Sequence, residues 1–170
     1  MNKILCFIVV NMVMQISVLA AEPILMSNEW AKEACAAWND EESLTQGLKE
    51  SGWIGNDKDR GYKIIHVYRT DCKTSEPVEL RLVELDNHVQ CMYGGEIVHP
   101  VLDKKVDYLM HAKTARWIQM GEGKYGPMKA MMLRRLKFKG PKFEAMGNMG
   151  PFKSFLQLVG KVPSNSSMCP

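Results

Sequence analysis

A chain of 170 residues is long enough to bury one real core and supports one domain with a short tail. Its 46% hydrophobic and 24% charged residues are ordinary for a globular protein, and it holds no internal repeat or low-complexity tract. The net charge of +3 conceals an asymmetry: residues 22–112 carry 10 Lys and Arg against 17 Asp and Glu, net −7, while residues 113–161 carry 11 against 2, net +9. A basic half attracts phosphates, on nucleic acid or on anionic lipid headgroups; a solvated face beside an acidic one is the plainer alternative.

The first 21 residues read as an export signal. Lys3 is followed by a mostly apolar run from Ile4 to Leu19, and Val18-Leu19-Ala20 or Leu19-Ala20-Ala21 offers small residues for cleavage. Asn11 and Gln15 interrupt the run, against a permanent span. The expected destination is the periplasm or the exterior. The alternative is a cytoplasmic product started at Met26.

Ser27 is a candidate N-cap for a first helix, whose apolar stripe is Trp30, Ala34, Ala37 and Trp38. Ser43 to Gln46 fits a capping box for a second, which Ser51-Gly52 ends. Three strands follow, Tyr62–Thr70, Val78–Leu85 and His88–Tyr93, joined by a turn over Asp71–Pro77 and a tight one at Asp86-Asn87. They predict an antiparallel meander stopped by Gly94-Gly95, with a fourth strand over Val106–Met110. Thr114 is a candidate cap for a helix carrying Trp117, Ile118 and Met120. A short helix from Pro127 through Leu133, a fifth strand over Leu136–Lys139 and helical pieces near 142–148 and 151–159 complete the domain, 27–163. Residues 164–170 read as a disordered tail. Helices, a meander, then helices mixed with two strands make an α+β order.

Several apparent motifs carry little. Gly121-Glu-Gly123-Lys-Tyr-Gly126 spells G-x-G-x-x-G, but a helix precedes it and Pro127 follows, so a loop between helices is the better reading than a nucleotide site. His66, His88, His99 and His111 show no ligand spacing, and no G-x-S-x-G elbow or phosphate loop is present. Cys6 lies in the leader; Cys35, Cys72, Cys91 and Cys169 allow three pairings and match no metal motif. Cys91 mid-strand and Cys72 in a turn are too far apart along the sheet to pair, so free, mostly buried thiols are expected. No metal, cofactor or catalytic residue is expected.

The positive signal lies between Trp117 and Val159, where six Met and four Phe alternate with bases. Met fits variable apolar shapes, although it also fills core gaps. Lys129, Arg134, Arg135, Lys137, Lys139 and Lys142 could set the domain on an anionic membrane, each base contributing about 1 kcal/mol. Nucleic acid would want exposed aromatics for stacking; here they keep helical core spacing.

Trp117-Ile-Gln-Met120-Gly121, Tyr125-Gly-Pro-Met-Lys-Ala130, Arg135-Leu-Lys-Phe-Lys-Gly-Pro141, Glu144-Ala-Met146 and Asn148-Met-Gly-Pro-Phe152 together resemble the sterol carrier protein type 2 domain, in its small single-domain bacterial form. The resemblance implies a five-stranded, mostly antiparallel sheet covered by helices, with an apolar tunnel between. It implies a lipid ligand, a sterol or an acyl chain, held without catalysis. Carried onto this chain, the tunnel lining would be Trp117, Met120, Met128, Met131, Met132, Leu136, Phe138, Met146, Met149, Phe152, Phe155 and Leu156. An accessory role, presenting an isoprenoid or other hydrophobic intermediate to a partner enzyme, is the alternative. The family pattern expects glycine before Arg135-Leu-Lys, where this chain has Arg134.

Overall fold

The computed structural model describes residues 21–73 and 76–170. The expected export signal, residues 1–21, therefore lies outside the described residues, except for its last position. The strands are β1 (Lys63–Arg69), β2 (Val78–Leu85), β3 (His88–Gly95), β4 (Tyr108–Ala112) and β5 (Lys137–Lys139). They form one sheet in the order β3-β2-β1-β4-β5. Every pairing is antiparallel except β1 with β4, which run parallel. The α+β expectation holds, and so does the five-stranded, mostly antiparallel sheet.

The helices are α1 (Asn28–Asn39), α2 (Glu42–Glu50), α3 (Thr114–Gly121), α4 (Pro127–Met132), α5 (Lys142–Gly147) and α6 (Met149–Lys161). Strand alternation sends Ile65, Val67, Val78, Leu80, Leu82, Tyr108 and Met110 into one core with Trp30, Trp38, Leu44, Phe155 and Leu156 from the helices. The other face of β1 and β2 is covered by the 96–107 connection, where Glu79 receives the amides of Val98 and His99.

Cap positions follow the sequence reading at Ser27 and differ from it at Ser43 and Thr114. Ser27 caps α1, accepting from the Trp30 amide at 3.2 Å. No capping box forms at Ser43: α2 starts one residue earlier, and the Thr45 hydroxyl bonds back to the Glu41 carbonyl. Thr114 is the first residue of α3, not its cap. The Asp71 carboxylate takes that role, accepting the Thr114 amide at 2.9 Å and its hydroxyl at 2.8 Å. The fourth strand begins at Tyr108 because the Asp107 carboxylate is tied to Arg60 and to the Ile64 and Asp103 amides.

Gly94 and Gly95 extend β3, where the sequence suggested a stop. A Cβ at Gly94 would stand 2.1 Å from the Ala31 carbonyl oxygen, so glycine lets α1 lie against the strand. Asp86 and Asn87 both adopt positive φ, the geometry of a tight hairpin turn.

The cysteines are not free. Cys35 on α1 pairs with Cys91 on β3, and Cys72 pairs with Cys169. Cys72 and Cys91 indeed do not bond to each other, but each finds a partner outside the sheet. The close approach of α1 to β3 brings Cys35 over Cys91, and the C-terminal segment returns to the end of β1.

The 164–170 segment is accordingly ordered against the domain, contrary to the expected disordered tail. Asn165 forms a parallel bridge with Ile24. The buried Arg69 guanidinium donates to the carbonyls of Leu25, Ser166 and Met168.

Candidate functional site

Two apolar spaces border the C-terminal third. The outer one is a groove of about 370 Å³ between α4, β5 and α5, lined by Met128, Met131, Met132, Leu136, Phe138 and Met146 and edged by Arg134, Lys137 and Lys142. All nine are residues singled out from the sequence, six as tunnel lining and three as membrane-facing bases. The inner one is a crevice of about 40 Å³ beneath α5 and α6, walled by Trp38, Leu44, Ile65, Met110, Phe152 and Phe155 among others.

Phe138 lies near both. It lines the groove, and its ring meets Tyr108 at 5.4 Å and Phe152 at 5.8 Å, both of which line the crevice.

The remaining lining candidates divide by depth. Phe152 and Phe155 border the crevice. Trp117, Met120 and Leu156 are core residues lining neither space, and the Trp117 indole donates to the Tyr68 carbonyl. Met149 packs half-buried against the core.

Among the bases, Lys129, Arg134, Lys137, Lys139 and Lys142 are exposed, and Arg135 lies over the Tyr125 ring at 4.7 Å. Among the described residues, none of these six forms an ion pair. Beside the groove, Leu133 is 52% and Phe143 91% exposed, although sequence spacing had marked neither.

Glu144 is the only acid between residues 123 and 161, and it turns away from this basic face. It accepts from the Lys63 ammonium at 2.5 Å, from the Tyr108 hydroxyl and from Asn56 at 2.6 Å. Lys63 is fully buried, held also by the Trp53 carbonyl and by the faces of Trp53 and Tyr108. Burial pulls the Lys63 ammonium below its usual 10.5 despite Glu144. Burial, then Glu144, pushes the Tyr108 hydroxyl well above its usual 10.0. The cluster therefore latches α5 to β1 and β4 at the edge of the crevice. Sequence patterning did not find it, because a lysine in a strand and a glutamate in a short helix carry no signal of burial.

A second polar cluster lies across the sheet. Glu79 accepts from His99 Nδ1 at 2.7 Å and from two backbone amides, and stands 3.3 Å from His66 Nε2. The Glu79 side chain has no exposure, and that of His99 is partly exposed.

A profile of the SCP-2 sterol transfer family matches residues 48–153. The chain belongs to this family. Its family fold is also found in solved structures. A conserved hypothetical protein of Thermus thermophilus, described as possibly a sterol carrier protein, superposes with a TM-score of 0.54 at 17% identity over 86% of this chain and 94% of its own. A crystal structure of sterol carrier protein 2 gives 0.54 at 17% identity over 81% and 98%. No curated protein matches the chain.

The family pattern also accounts for the Arg134 position. Arg134 adopts φ 53°, a left-handed conformation that favours glycine. The G-x-G-x-x-G segment is a loop between helices, and its first glycine is a packing contact. A Cβ on Gly121 would stand 2.7 Å from the Gly160 amide where α3 crosses α6.

Proposed function

We propose that this family member binds a hydrophobic lipid by burial, without covalent chemistry, in the space formed by the methionine groove and the crevice behind Phe138. The observation that carries the reading is the methionine groove. Ligand pockets run to roughly 300–1,000 Å³; the groove alone reaches that range, and the crevice extends it inward once the Phe138 ring turns aside. Burying a sixteen-carbon chain is worth about 13 kcal/mol gross, which a carrier must largely return to a lipid leaving a bilayer. Four methionines give the groove a wall that adapts to different chains.

The exposed Met128, Met132, Leu133, Phe143 and Met146 with their ring of bases are suited to rest on an anionic bilayer, opening the groove toward the lipid source. Export is part of the same reading. Two disulfides fit an oxidising compartment. A chain begun at Met26 would lose the buried Leu25 and the backbone bonds joining Pro23 and Leu25 to Asn165.

Native mass spectrometry of gently purified protein should show bound lipid, and its N-terminal sequence should begin near Ala21. Repeated lipid-free spectra alongside a fixed co-purifying enzyme would favour the accessory role instead. Vesicles should bind the protein when they contain anionic lipid. Neutralising Lys137 and Lys142 should lower that binding roughly thirtyfold, at about 1 kcal/mol per base. Equal binding to neutral vesicles would remove the membrane element.

A further inference from the structure

The crevice wall contains one polar group left open. Asn148 joins α5 to α6, is 9% exposed and lines the crevice. Its Nδ2 donates to the Glu144 carbonyl oxygen at 2.9 Å. That contact fixes which amide atom is which, since an oxygen facing a carbonyl oxygen would be repelled. Its Oδ1 is thus the free end, and it is buried with no hydrogen-bond partner among the described residues.

The neighbouring polar groups are already engaged. The Tyr108 hydroxyl donates to Glu144 and accepts from the Trp53 indole at 2.8 Å. The Lys63 ammonium is held by Glu144 and by the Trp53 carbonyl. No lining residue of the crevice is cationic.

We propose that Asn148 Oδ1 accepts a hydrogen bond from the hydroxyl group of a lipid alcohol, so that the ligand class of the interior is a neutral lipid bearing O–H at its inner end. The proposal deepens the lipid-binding reading and rests on it. An alcohol brings one donor and no charge. An ionised carboxylate or phosphate brings acceptors only, beside a carbonyl and an acceptor, with no cation to offset its desolvation. A hydrocarbon or an ether brings no donor and leaves the Asn148 oxygen unmet, which is costly in a buried site. With the hydroxyl at Asn148, the apolar remainder runs along Phe152 and out past Phe138 into the methionine groove.

The test is displacement of a fluorescent acyl probe from the full chain by hexadecan-1-ol, by its methyl ether and by hexadecanoate. The alcohol should bind about tenfold more tightly than the ether, the worth of one hydrogen bond in a buried site. It should also outcompete hexadecanoate. In Asn148→Leu, alcohol and ether should fall within about twofold of each other. Equal affinities in the wild type, or a preference that survives in Asn148→Leu, would overturn the assignment while leaving lipid binding intact. The wild-type comparison stands even where the variant folds poorly. If the probe and all three ligands fail to bind, the lipid-binding reading itself fails and the assignment falls with it.

Discussion

Single positions in this chain carry geometry that their neighbours depend on. Arg134 holds a left-handed backbone that costs a non-glycine residue about 1 kcal/mol. Arg134→Gly should therefore leave the protein slightly more stable, by up to about 1 kcal/mol in denaturant unfolding, less the entropy that glycine returns to the unfolded chain. Gly121 is the opposite case. Gly121→Ala forces a methyl into the Gly160 backbone and should cost about 2 kcal/mol, whereas Gly126→Ala, with open space around it, should cost about 0.5. Equal costs at the two glycines would show that α3 and α6 can part at their crossing without loss. The departure at Arg134 was legible against the family pattern, because glycine is demanded by backbone shape. Asn148 was not, since one asparagine beside a glycine reads as a turn residue until its surroundings are known.

At the scale of elements, α5 is six residues long and has little to hold it besides Glu144. Its Phe143 points to solvent and Ala145 is its one fully buried residue. Removing the carboxylate in Glu144→Ala leaves the fully buried Lys63 without its counter-charge. Such a loss costs about 3 kcal/mol. The accompanying sign of a freed latch is faster amide exchange confined to 142–147 and to the start of α6. A variant as stable as the wild type would mean that Lys63 is held well enough by Trp53 and the aromatic faces. The strands were legible to within two residues because alternation marks them directly. The latch was not, because a lysine on a strand and a glutamate on a short helix carry no periodic signal of burial. Composition singled out the four methionines that line the groove, whereas the surroundings of Phe138 were not legible on a strand of three residues.

For the molecule as a whole, acid should act in two stages. Burial, outweighing Glu79, lowers the pKa of His66 below its usual 6.5, and burial followed by Lys139 and Lys137 lowers that of His111. Both are favoured neutral in the folded state, so their contribution is full above 6.5 and is lost as the pH falls below it. Burial raises the Glu79 carboxyl, but hydrogen bonds from His99, His66 and the Val98 amide outweigh it and hold it below 4.5. Its contribution is kept above that value and lost at lower pH. The melting temperature should decline gently below pH 6.5 and steeply below 4.5. In His66→Gln the first decline should shrink. A melting temperature that rises on acidification would contradict the buried neutral histidines. The α+β order was legible from the alternation of patterns. The disulfides were not, because spacing along the sheet excluded one pair but carried no information about a helix laid over β3 or a tail returning to β1.

The Cys72–Cys169 bond and the Arg69 contacts place residues 164–169 against segments near the beginning of the domain. For a chain that crosses a membrane from its N-terminus, this sets an order of events. The Cys35–Cys91 bond lies within the first part to emerge, whereas Cys72 must wait with an open thiol until residue 169 has arrived. During that interval Arg69 has no carbonyl cage from the tail, and the N-terminal segment has no Asn165 to pair with. Under the proposed export, arrest late in translocation should leave a species with one disulfide and one trappable cysteine.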